Sequence, residues 1–204
     1  MCKLICVTNS TLCEDMEGQL RRLAEAGVDS IILREKALTE QEYTRLAART
    51  AETVKPFGTR IILHSFYSAA LKLGVKSIHL PLPVLEALDN DTKQCFEHIG
   101  ASVHSPEEAA RAAALGADCL VAGHIFNTDC KQGLPGRGLE YLNEVCQRVN
   151  VPVYAIGGIT PDNAGSVIDA GAKGICVMSG LMKAADPQEL VRLFKESLRQ
   201  HRHI

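Results

Sequence analysis

Tryptophan is absent from the 204 residues, and aromatic side chains make up only 4% of them. A core with so few rings has to be aliphatic, built from Ala, Val, Ile and Leu. Charge of one sign is equally scarce. Lys and Arg number 22 against 24 Asp and Glu, a formal net charge of −2. That balance supplies neither the basic face that nucleic-acid binding requires nor an attraction to anionic membranes. No apolar run reaches the roughly 18 residues of a membrane span. The start, Met1-Cys2-Lys3-Leu4-Ile5-Cys6-Val7, lacks a long apolar h-region and a small-residue cleavage site. It reads as a first strand rather than a signal peptide. No C-x-x-C pair occurs among the eight cysteines, which disfavours zinc binding and dithiol redox chemistry. Cys6, Cys119 and Cys176 lie inside apolar runs. The set is expected to be reduced thiols packing as small apolar groups in a cytoplasmic protein.

Short apolar runs alternate with longer amphipathic ones from end to end. The strand candidates are Lys3–Thr8, Ser30–Arg34, Arg60–His64, Ser77–Leu80, His98–Val103, Asp118–Gly123, Val153–Ile156 and Gly174–Met178. They are nearly continuously apolar, as strands covered on both faces are. Helix signals fill the gaps. Thr39 with Glu42 predicts a capping box, and Ser105-Pro106-Glu107-Glu108 supplies an N-cap, a first-turn Pro and an N3 Glu. Thr160-Pro161 and Asp186-Pro187 repeat the cap-then-Pro pattern. Helix stops fall at Gly27, Gly74, Gly116 and Gly171. Eight strand-then-helix units predict an α/β fold, a small single-domain (β/α)8 TIM barrel over residues 1–204. An open doubly wound sheet is the rival architecture.

In such barrels the reactive groups gather at the C-terminal ends of the strands and in the loops that follow. The second strand runs into Arg34-Glu35-Lys36. Residues two apart share a face, so Arg34 and Lys36 are expected to lean toward the mouth with Glu35 turned away. Two cations there suit a carboxylate or a phosphate. His64 and His79 close strands three and four and read as packing residues. Ser102 and His104, at the end of the fifth, are open to either a ligand or a structural role, while Ser105 is the helix cap. The sixth strand leads into a long loop through Gly138, where His, Asp, Lys and Arg stand among glycines; such a loop in a compact barrel is usually functional. His124 sits behind Gly123 at that strand end. It is the expected catalytic residue, an imidazole able to pass a proton both ways. Strands seven and eight end in Gly157-Gly158 and Met178-Ser179-Gly180. Both turns precede helices, where backbone N–H groups and helix dipoles converge on an anion, and a phosphate is expected between them.

Taken in order, Leu33-Arg34-Glu35-Lys36, Ser102-Val103-His104-Ser105-Pro106-Glu107-Glu108-Ala109, Gly123-His124-Ile125-Phe126 with Thr128 and Lys131, Ala155-Ile156-Gly157-Gly158-Ile159-Thr160-Pro161 and Val177-Met178-Ser179-Gly180 resemble the thiamin phosphate synthase superfamily. The likeness covers nearly the whole chain and implies the same small barrel. The superfamily has at least two branches. The synthase joins a pyrimidine pyrophosphate to a thiazole phosphate and requires Mg²⁺. Its metal is held by an Asp in an Asn-Asp-Arg motif after the third strand and by a second Asp after the fourth. Those places hold His64-Ser65-Phe66 and Val84 here, and Ile32 stands where Gln usually precedes Leu-Arg-Glu-Lys. Mg²⁺ binds through carboxylate oxygens and phosphates, so the departures weigh against the synthase branch. The loop Gly123-His124-Ile125-Phe126-Asn127-Thr128-Asp129-Cys130-Lys131-Gln132-Gly133-Leu134 with Gly136-Arg137-Gly138 looks more like the TenI-type thiazole tautomerases.

The resemblance thus implies an isomerase that aromatises a carboxylated thiazole phosphate in thiamin biosynthesis, without metal or organic cofactor. The implied roles are proton transfer at His124, phosphate binding at Gly157, Gly158, Met178, Ser179 and Gly180, carboxylate binding at Arg34 and Lys36, and a further cation at Lys131. Acid–base catalysis of this kind supplies about 10²–10⁴-fold. The implied partner is the small-molecule thiazole phosphate, and a homodimer is implied only by resemblance. Two rival readings remain: an Mg²⁺-dependent synthase, and a non-catalytic regulator that binds a phosphorylated ligand.

Overall fold

The apolar runs pair side by side because each has two faces to cover. Ser30–Leu33 and Gly174–Val177 are buried along their full length. A computed structural model describes residues 2–131 and 133–201. Met1, Gln132 and residues 202–204 lie outside the described residues, so Gln132 of the sixth loop is not placed. The strands are β1 (Lys3–Val7), β2 (Ser30–Leu33), β3 (Arg60–His64), β4 (Ser77–Pro81), β5 (His98–Val103), β6 (Cys119–Gly123), β7 (Val153–Ile156) and β8 (Gly174–Val177). All eight pair in parallel and in sequence order, and β8 returns to β1, closing a barrel. The expected strands are all present, and five of the eight differ from expectation by a single residue at one end, the usual fraying of element boundaries. The open-sheet rival is excluded by the β1–β8 pairing.

The helices wrap the outside. They are α1 (Met16–Glu25), α2 (Glu40–Val54), α3 (Tyr67–Leu73), α4 (Leu82–Ala87), α5 (Asn90–Gln94), α6 (Pro106–Ala114), α7 (Gly138–Arg148), α8 (Ala164–Asp169), α9 (Ser179–Met182) and α10 (Pro187–Gln200). Local chemistry sets their starts. Thr39 and Glu42 form the capping box of α2, Ser105 Oγ accepts from Glu108 N at α6, and Asp186 caps α10. Thr160-Pro161 departs from expectation. It opens a turn, and α8 begins only at Ala164, because Asn163 Oδ1 takes the Thr160 N–H at 2.8 Å and delays the helix.

Two apolar clusters result. A large one fills the space between barrel and helices and includes Leu20, Leu33, Leu63, Leu80, Leu120 and Phe194. A small one, Ile5, Val7, Ile32, Val121, Tyr154 and Cys176, fills the lumen. The split follows the period of two along each strand. Burial pushes the Cys6 thiol, in the outer cluster, up to about 12 and also raises Cys176, in the lumen. All eight cysteines are free.

Tyr43 on α2 ties two strand ends together. Its ring is fully buried, its hydroxyl donates to Leu33 O at 2.6 Å, and the same oxygen accepts from His64 N at 2.8 Å. A Tyr43→Phe variant leaves both backbone groups unpaired, and an unsatisfied buried group costs about 1–3 kcal/mol. Urea unfolding should therefore show a lower midpoint with an unchanged slope.

Candidate active site

Arg34 extends the inward row of β2, beyond Ile32. Glu35 points the other way and is only 5% exposed. Its carboxylate accepts from Thr8 Oγ1 at 2.6 Å, from Ser10 Oγ at 2.7 Å, and from Ser10 N at 3.0 and 3.1 Å. Thr8 Oγ1 in turn accepts from Arg34 N at 2.9 Å. A buried carboxylate with this many donors fixes the β1 loop against the end of β2 and so aims Arg34.

Above the lumen cluster lies a cavity of about 510 Å³. Its walls include Arg34, Ser102, His104, His124, Lys131, Gly157, Gly158, Met178, Ser179 and Gly180. A shallower groove of about 620 Å³ continues from it past Asn9, Leu12 and Lys183. Lys36 is exposed and stands beside the cavity rather than in its wall. It still shares the cavity's field: Arg34 first, then partial burial, then Lys131 lower its ammonium below the ordinary lysine value. Among the described residues none of Arg34, Lys36 and Lys131 has a carboxylate within ion-pair distance. These three cations, with Asp129 on the cavity wall but outside ion-pair distance, form one pole of the site.

The opposite pole is backbone. Gly157 and Gly158 have φ of 104° and 65°, which glycine adopts without strain. They also have no room for a side chain, since a Cβ on Gly157 would overlap His124 and one on Gly158 would overlap Phe126 and Asn127. The β6 loop lies directly on this turn, with Ile125 N donating to Ile156 O at 2.9 Å and Phe126 N to Gly157 O at 3.0 Å. Among the described residues, the N–H groups of Gly157, Gly158, Ser179 and Gly180 donate to no protein acceptor. The Thr160 N–H, by contrast, is taken by Asn163, and α9 is a single short turn. The anion pole therefore consists of free amides, with a smaller helix-dipole contribution than the sequence suggested.

His124 is half-buried, and its Nε2 lies 3.3 Å from Leu134 O across the loop. His104 pairs with Glu108 through Nδ1 at 3.2 Å. His64 and His79 are the residues that sequence reasoning passed over. They are register partners on β3 and β4, stacked with centroids 5.7 Å apart, and both line the cavity. Ser65, at φ 66°, sets its hydroxyl 2.8 Å from His64 Nδ1, and Ser102 Oγ lies 2.8 Å from His79 Nε2. Gly100 opposite His79 makes room for that ring, since a Cβ there would sit 2.6 Å from Nδ1. Counting the inward row across neighbouring strands would have found the pair.

Residues 4–181 match the family described as thiamine monophosphate synthase. The chain belongs to that family. A thiamine-phosphate synthase of Chlorobium luteolum is 36% identical over 178 residues, covering 84% of this chain and 82% of the relative. One of Clostridium acetobutylicum is 28% identical over 98% of this chain and 96% of its own length. The solved thiamine phosphate pyrophosphorylase of Pyrococcus furiosus superposes with a TM-score of 0.84 at 28% identity, covering 98% and 97% of the two chains. Membership makes this thiamine monophosphate synthase relative an enzyme of thiamin biosynthesis. The relatives overturn the expected isomerase: they are named for synthesis of thiamine phosphate. Among the described residues no helix is long and apolar enough to cross a membrane.

The Mg²⁺ that the family's synthase branch implies was tested against the donors present. Ser65 offers a hydroxyl already engaged with His64, and Val84 is packed against the apolar cluster on α4. Asp129 stands alone on the cavity wall. Among the described residues no group of three or more His, Cys, Asp or Glu is placed to hold a metal. The residues do not fit the ion.

Burial pushes His64 down to about 3, with His79, Arg34 and Lys36 adding to it, and burial alone takes His79 to about 4. In the unfolded chain both imidazoles titrate at their ordinary value of 6.5. Between those limits the unfolded state binds more protons. The stability held by the neutral pair is therefore complete above 6.5 and is lost as pH falls toward 4. Urea midpoints measured from pH 7 to 4 should fall less steeply in a His64→Gln, His79→Gln variant than in the parent. Equal slopes would mean that the rings titrate normally.

Proposed function

We propose that this chain makes thiamine phosphate by joining a pyrimidine pyrophosphate to a thiazole phosphate. One observation carries the reading: a single cavity has two separate anion-binding poles, cationic at Arg34 and Lys131 with Lys36 beside them, and amide-built at Gly157, Gly158, Ser179 and Gly180. A reaction between two phosphorylated partners needs both. The family match and the names of the relatives support the same reading.

In this scheme the amide pole grips the thiazole phosphate, and the cations grip the pyrophosphate. The thiazole ring nitrogen supplies an electron pair to the methylene carbon of the pyrimidine. The carbon–oxygen bond breaks, and the pyrophosphate leaves with its electron pair. Positive charge aimed at the leaving oxygens stabilises them as the bond breaks. Met178 and Ile156 offer apolar wall to the rings between the poles, and Ser102, held by His79, offers them a hydroxyl. No proton changes hands, so His124 acts as wall and loop anchor rather than as a base.

The purified protein supplied with both substrates should accumulate thiamine phosphate and release one pyrophosphate per product, followed by chromatography. Removing one charge-stabilising donor costs about 10²–10³ in turnover, so Lys131→Ala should fall by at least that lower figure while folding normally. Absence of product, with and without Mg²⁺, overturns the reading.

A further inference from the structure

We infer that the cavity binds its pyrophosphate-class ligand without a divalent cation, Ser65 and Val84 standing at the positions where carboxylates would hold a metal. The inference rests on the functional reading above for the identity of the ligand.

The donor set carries the argument. Ser65 and Val84 bring no carboxylate to balance a dication. The charge already present is the positive charge of Arg34 and Lys131 on the cavity wall, with Lys36 beside it. A carboxylate placed beside these would be drawn to them and would quench the pole. The one carboxylate in the motif, Glu35, is kept away by its bonds to Thr8 and Ser10.

Geometry agrees. An added dication would have to sit beside three cations with an alcohol and two imidazoles as donors. Mg²⁺ prefers oxygen ligands in near-octahedral array. Ser65 and Ser102 present their hydroxyls to the two rings. His79 is thereby held by Ser102 and Gly100, and His64, with Nδ1 engaged by Ser65, has Nε2 left to meet a phosphate oxygen. The stack is register-locked, since His64 pairs with His79 across β3 and β4.

The test is calorimetric titration of the whole chain with inorganic pyrophosphate, in EDTA and in excess Mg²⁺. The expected result is an affinity in EDTA within threefold of that in Mg²⁺, or tighter. Affinity in EDTA lower by tenfold or more, or no binding in either buffer, overturns the inference. A Ser65→Asp variant should lose tenfold or more in EDTA and recover part of it in Mg²⁺. Parent-like binding of that variant in EDTA also overturns it. Assaying thiamine phosphate in the same two buffers separates the two claims. Product formed only with Mg²⁺ keeps the function and sinks this inference. Metal-free pyrophosphate binding with no product in either buffer does the reverse.

Discussion

The register of the closed parallel barrel decides which side chains share the mouth. Every second residue of a strand points inward, and neighbouring strands are offset by fixed pairings. His64 thus meets His79, and His79 meets Gly100. Arg34 lies one inward step above Ile32, and Met178 one above Cys176. The lower inward layer is apolar and packs the lumen; the upper layer is polar and faces the cavity. Nothing in the site is placed independently of that pairing. Tyr43 and Glu35 hold the upper ends of β2 and β3 and the β1 loop in step, each through several hydrogen bonds to buried groups.

Much of this was legible in the residues. Strands buried on both faces are continuously apolar, so all eight announced themselves. Thr39, Ser105 and Asp186 read correctly as caps because capping depends on a few adjacent residues. The Thr160 turn did not, because the competing bond from Asn163 depends on a turn geometry that no simple pattern encodes. His64 and His79 escaped because each looks ordinary on its own strand. They become a pair only through a cross-strand register, which is a property of the closed sheet. Glycines at 157 and 158 were read for their amides; that they also make room for the β6 loop requires knowing where that loop lies.

The choice between branches of the family failed for a different reason. Absence of two carboxylates was taken as absence of transfer chemistry. That step read a branch of the family from two positions, whereas the likeness to the relatives extends over most of the chain. The relatives share 28–36% of their residues with the chain in the cases described, spread over most of its length. His124 also looked decisive because it stands at a strand end in a glycine-rich loop. Its Nε2 lies 3.3 Å from the Leu134 carbonyl, and its Cα and Cβ lie close over Gly157, contacts that only the folded loop brings about.

The filled lumen has a consequence for access. Ile5, Val7, Ile32, Val121, Tyr154 and Cys176 pack the barrel axis beneath the cavity. A guest therefore comes and goes over the C-terminal rim, where the groove past Asn9, Leu12 and Lys183 joins the cavity, and the traffic of ligands is governed by the rim loops rather than by the apolar floor.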